Sequence, residues 1–125
     1  MSSRQETPSE WQGEARRIKL HGPEAFAAMR KAGAGTLLFT TGGGSVSPVP
    51  AFGNVNAAAA ALRNWVINLH NELAGTGVHA AHVAINIWIG DGGPPGFPTA
   101  TPEQIAPLYW DLYERNHRSE VVFNG

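Results

Sequence analysis

Apolar strand-like runs alternate with helical patterns along this chain, which predicts an α/β fold built on a small parallel sheet of about three strands flanked by helices. Three observations carry that prediction. The runs Thr36–Thr41, Val78–Ile89 and Val121–Phe123 are short, apolar and bounded by turn residues, as strands are. Between the first two, Asn54–Ala74 repeats its apolar residues Leu62, Trp65, Val66 and Leu69 at spacings of three and four, the period of a helix. Before the last run, Thr101-Pro102-Glu103-Gln104 reads as a capping box with proline at the first helical position, opening a helix to about His117. Strands joined by helices imply right-handed βαβαβ crossovers and parallel pairing.

Each element follows from its residues. Residues 1–8 are polar and read as a flexible tail ahead of one domain, 9–125. Ser9–Leu20 reads as a helix that Gly22-Pro23 interrupts. Pro23–Ala32 is a second helical segment, with proline at its first position and Gly33 and Gly35 past its end. The strand Thr36–Thr41 runs into glycines, and Asn54–Ala74 ends at Gly75-Thr76-Gly77. Val78–Ile89 is apolar on both faces after His82, as a strand covered on both sides should be. Glycine and proline concentrate in Gly33–Gly53 and Gly90–Pro102, which marks two long loops, and the first strand is left with an open edge.

Composition removes several functions. The net charge is −1 and 15% of residues are charged, so no basic footprint for nucleic acid or an anionic membrane is present. Cysteine is absent, which excludes disulfides and thiolate metal sites and suits a reducing compartment. The N-terminal stretch MSSRQETPSEWQGEARR has no apolar signal core, and no run approaches the roughly 20 apolar residues of a membrane span. A cytoplasmic location is the expectation.

The run Gly35–Arg63, GTLLFTTGGGSVSPVPAFGNVNAAAAALR, resembles the centre of the short-chain dehydrogenase/reductase family. That family has an apolar strand, a serine-bearing loop, a proline-containing turn and a small-residue helix opening with Tyr-x-x-x-Lys. Anchored on Ala60-Ala61-Leu62-Arg63, Val55 stands at the Tyr position, Ala59 at the Lys position and Gly42 at the Ser position. WQGEARRIKLHG (Trp11–Gly22) is similar to the preceding helix, with Lys19 where the family has Asn. Val78–Gly90 resembles the next strand, with Asn86-Ile87 in place of Pro-Gly, and Pro102–His117 the next helix. The match spans about residues 9–123. It implies a truncated Rossmann-like three-layer fragment, the C-terminal half of the family fold, without its catalytic side chains.

The same resemblance bears on cofactor and assembly. No βαβ unit with a glycine-rich turn at a helix N-terminus precedes this segment, and no acidic residue lies about 20 positions beyond such a turn. No nicotinamide cofactor is therefore expected. In the related enzymes the helix equivalent to Asn54–Ala74 joins the one before it in a dimer core, so a homodimer through Ala57–Ala61 is expected.

Candidate site residues come from the strand ends. In open α/β sheets the ligand crevice lies beyond the carboxyl ends of the strands. Thr40, Thr41, Ser45, Asn86 and Trp88 come from those ends, and Asn54 and Asn56 open the helix across the loop. Together they predict a polar, uncharged pocket wall with one aromatic; alternatively the asparagines cap and turn while Trp88 packs. Thr41-Gly42-Gly43-Gly44-Ser45 is a strand-to-loop connection whose amides can form an anion nest, without the lysine of a phosphate loop. His79 and His82, three apart on a strand, point to opposite faces and cannot share a metal. His70 lies near a helix C-terminus, where it reads as a surface residue, and His21 and His117 sit at element ends. Tyr109, Trp110 and Tyr113 at helical spacing read as core or interface. The expected function is cofactor-free binding of a small organic ligand, with non-redox chemistry such as cyclisation, isomerisation or dehydration. The alternatives are a non-catalytic dimeric binding or assembly protein and, on weaker chemical grounds, an NAD(P)-dependent oxidoreductase.

Overall fold

A computed structural model of the chain describes residues 24–115 and 117–125. Helix α1 covers 24–32 within this span; the expected helix Ser9–Leu20, its Gly22-Pro23 break and Lys19 lie outside the described residues. Strand β1 is Gly35–Gly42, helix α2 Gly53–Glu72, strand β2 Val78–Ile85, helix α3 Pro102–Glu114 and strand β5 Glu120–Phe123. Two short strands, β3 (Trp88–Ile89) and β4 (Thr99–Ala100), pair with each other in a separate ribbon. The main sheet has the order β1-β2-β5, with both pairings parallel. The protein is thus α/β with a small three-stranded parallel sheet, a Rossmann-like arrangement with helices on both faces.

Side-chain alternation assigns the faces. Ala81, Val83 and Ile85 of β2 meet Ile105 and Leu112 of α3, with Leu38, Val121 and Phe123 on the same side. Val78 and Ala80 face the other way, against Leu69 and Leu73 at the end of α2 and Phe26 and Met29 of α1. The chain steps twice in one direction across the sheet, β1 to β2 to β5, while α2 and α3 lie on opposite faces. Two parallel crossovers so arranged have opposite hands. The expectation of right-handed crossovers throughout is corrected here: the two connections cannot share one hand.

Other boundaries also move. The expected strand Val78–Ile89 breaks after Ile85. The amide of Asn86 still donates to Phe123 O at 2.8 Å, but that of Trp88 donates to Pro98 O at 2.9 Å, so the chain leaves one sheet for the other at Asn86-Ile87. Helix α3 stops at Glu114 rather than about His117. Its start follows the sequence: Thr101 accepts from Gln104 N while Gln104 Oε1 accepts from Thr101 N at 2.8 Å, a complete capping box. The loop after β1 carries two single 3-10 turns, Gly43–Ser45 and Pro50–Phe52, which bring it back over the start of α2.

Candidate functional site

The site is built where β1 ends. In β1 the side chains of Leu37, Phe39 and Thr41 lie on the α2 face, and Leu38 and Thr40 on the α3 face, where Thr40 Oγ1 meets Tyr109 Oη at 2.7 Å. The 3-10 turn Gly43–Ser45 then folds Ser45 back beneath the strand, and Thr41 Oγ1 and Ser45 Oγ lie 2.8 Å apart. Ser45 Oγ also reaches Gly42 O at 2.9 Å. Two glycines make this turn compact. A Cβ on Gly43 would overlap the Asn86 side chain, and one on Gly44 would overlap the Asn56 amide.

Between this turn, the loop that follows it and the first turns of α2 lies a cavity of about 320 Å³. Pro48, Val49, Ala57 and Ala60 help give it an almost wholly apolar wall, and Ser45 and Asn56 also border it. Asn56 Nδ2 donates to Val49 O at 3.0 Å, which fixes its amide and ties loop to helix.

Behind Ser45 a continuous polar chain crosses the sheet. Thr41 Oγ1 is 2.7 Å from His82 Nε2. His82 is fully buried on central strand β2, and its Nδ1 is 3.0 Å from Glu120 Oε2 on β5. The register places Phe39, His82 and Glu120 side by side, so the imidazole and carboxylate share the α2 face. Arg63 of α2 closes the chain with a two-pronged grip on Glu120, Nε to Oε2 and Nη2 to Oε1. The Arg63 hydrogen bond holds the Glu120 carboxyl below its ordinary range; burial opposes this, and His82 adds to the lowering. The same hydrogen bond raises Arg63 above its ordinary value, against the opposing effect of burial. An ionised Glu120 can only accept, so His82 Nδ1 carries a proton and donates it.

The remaining expected residues are placed as follows. Thr41, Ser45 and Asn56 come together, and Asn86 touches the back of the same turn while donating through Nδ2 to Asn124 Oδ1 at 3.0 Å. Asn54 lies apart, on a shallower depression with Pro50, Phe52 and Val55. Trp88 belongs to the β3–β4 ribbon, is exposed, and donates through Nε1 to Asp91 O at 3.3 Å. Of the family positions, Gly42 ends β1, Val55 is exposed on α2 and Ala59 is half-buried one turn on. Trp110 and Tyr113 are exposed and lie against each other, ring centres 5.4 Å apart.

His82 and His79 do lie on opposite faces of β2. His79 Nε2 donates to Arg118 O at 2.8 Å, and its ring meets those of His70 and His117 edge-on. His70 is not simply a surface residue. Its Nδ1 is 2.8 Å from Ala80 O, a carbonyl on the β5 side of β2 that lies before the β2–β5 pairing begins at His82. These rings border a second cavity of about 860 Å³ at the amino ends of the strands. Among the described residues no group of three His, Cys, Asp or Glu is arranged to hold a metal ion.

Sequence reasoning missed the His82–Glu120–Arg63 chain. The available signal was a lone polar residue, His82, inside the apolar run Ala80–Ile85. Its partners become apparent only through strand register. No protein-family model matches this chain, and no curated protein matches it. No helix among the described residues is long and apolar enough to cross a membrane.

Proposed function

We propose that this chain is a cofactor-free derivative of the C-terminal half of a short-chain dehydrogenase/reductase, binding a small organic ligand at Ser45 and Asn56 and acting on it without redox chemistry. The observation that carries this reading is the 320 Å³ cavity, almost wholly apolar and bordered by those two residues. That is the composition of a small-molecule site, at the low end of the roughly 300–1,000 Å³ range such sites occupy. Its size suits a compact ligand with one carbonyl or hydroxyl group. Gly42, Val55 and Ala59 at the family's catalytic positions cannot donate a proton from a side chain, so any chemistry rests on residues other than these three and on how they position the ligand. The cysteine-free composition fits a reducing compartment, and the cytoplasm is the proposed location.

The test is an amide NMR titration of the full chain with phenyl acetate, cyclohexanone and NADPH. Shifts at Ser45, Asn56, Ala57 and Ala60 with the two small carbonyl compounds, and none with NADPH, are expected. Low-micromolar binding of NADPH, or silence with all three, overturns the reading.

A second reading, a dimeric binding or assembly protein, is favoured by a different feature. Val55, Leu62 and Trp65 form an exposed apolar stripe on α2 together with Ala58. The two readings are compatible, because the stripe and the cavity lie on different faces of the helix.

A further inference from the structure

The direction in which the polar chain behind the cavity runs turns on one proton on His82. With Nδ1–H committed to Glu120, a neutral His82 offers a bare Nε2 that accepts from Thr41 O–H at 2.7 Å. Thr41 Oγ1, which otherwise donates to Ser45 Oγ at 2.8 Å, is then open to accept from Ser45 O–H once that hydroxyl turns away from Gly42 O. When Nε2 is protonated every arrow reverses: Nε2–H donates to Thr41, Thr41 to Ser45, and Ser45 to Gly42 O at 2.9 Å. The distances suit either direction, so a turn of the Ser45 hydroxyl from Gly42 O to Thr41 would complete a path for a proton from Ser45 to His82. The imidazolium that results is stabilised by Glu120, whose own charge is anchored by Arg63.

Hydroxyl, imidazole and carboxylate in this order are the parts of a nucleophilic serine site, here with Thr41 inserted between serine and base. Resting on the pocket reading above, we propose that Ser45 is an activated nucleophile that takes acyl groups from small apolar esters with good leaving groups. The bond from Ser45 Oγ to the carbonyl carbon forms as its proton passes to Thr41 Oγ1 and the Thr41 proton passes to His82 Nε2. The ester C–O bond then breaks, and a phenolate-type leaving group departs as the anion. In the second half, water adds to the acyl carbon and gives its proton to solvent. The Ser45 oxygen leaves with a proton from Thr41, which His82 replaces. Asn56, held by Val49 O, keeps a second amide N–H for the carbonyl oxygen.

The experiment uses the full chain and phenylmethylsulfonyl fluoride, a small apolar reagent. The serine–sulfur bond forms, fluoride leaves, and the proton goes through Thr41 to His82, so no turnover is needed. Intact mass and peptide mapping are expected to place one adduct on Ser45, absent in Ser45→Ala. Thr41→Val keeps the shape but cuts the relay, and should slow labelling about 100-fold, the low end of what a positioned base contributes. Thr41→Ser should restore most of the rate. Labelling elsewhere, or an unchanged rate in Thr41→Val, overturns the proposal. If phenyl acetate shifts the cavity amides and Ser45 stays unlabelled, the nucleophile fails while the pocket reading stands. If neither occurs, both fail.

Discussion

Glu120 is the residue on which two other side chains depend, and its charge sets the direction of the acid response. Its carboxyl titrates below the ordinary glutamate range in the fold, chiefly through Arg63, and at about 4.3 when unfolded. Between those two values the unfolded chain binds more protons than the native one, so stability rises with pH across that interval. The contribution is complete above the unfolded value and is lost as pH falls through the folded value. Glu120→Gln removes it. The variant should be less stable than the parent at pH 7, and the gap should close as both are acidified below about pH 4. Urea midpoints measured from pH 7 to pH 3 check this, and parallel curves for the two proteins would contradict it. Arg63 alone does not account for the effect, because His82 Nδ1–H also needs a carboxylate acceptor at 3.0 Å.

At the scale of elements, the best-specified junction is the start of α3. Thr101 satisfies an otherwise orphaned helix amide, so Thr101→Ala should cost about 1 kcal/mol, read as a lower urea midpoint at unchanged slope. The turn after β1 is specified by contact. Gly44→Ala should cost about 1–3 kcal/mol through overlap with Asn56, and adding Asn56→Ala should recover part of that cost. The capping box was legible because four adjacent residues contain the whole signal. The break in Val78–Ile89 was not, because Asn86-Ile87 continues the apolar run while its hydrogen bonds change partner from Phe123 to Pro98. Thr41, Ser45 and Asn56 could be expected near one another from strand ends and helix start alone. Arg63, His82 and Glu120 could not, since 57 residues separate the first from the last and only register and helix rotation unite them. Crossover hand was hidden for the same reason, as it depends on which sheet face each helix covers.

For the whole molecule, the question is what covers the outward face of α2. Val55, Leu62 and Trp65 are 69%, 37% and 54% exposed, and with Ala58 they recur at three- and four-residue spacing along one line. Trp65 meets Phe39 edge-on on one side, ring centres 5.7 Å apart. Ala58 and Ala61 add small, exposed side chains that let another helix approach closely. Among the described residues β1 has a strand neighbour on one side only, so apolar surface and an open sheet edge occur together. The proposed two-fold arrangement of two copies, with the first half of α2 at the axis, would cover the stripe with its own equivalent. An obligate dimer of this kind should bury on the order of 2,000 Å² in total. Ala58→Arg and Ala61→Arg would place a long cation in the proposed seam and should split such a dimer. Because both positions are exposed in the single chain, a folded monomer with unchanged circular dichroism is the expected product. Sedimentation at micromolar concentration reads the outcome: a monomeric parent protein sinks the dimer, and so does a parent dimer that survives both arginine substitutions.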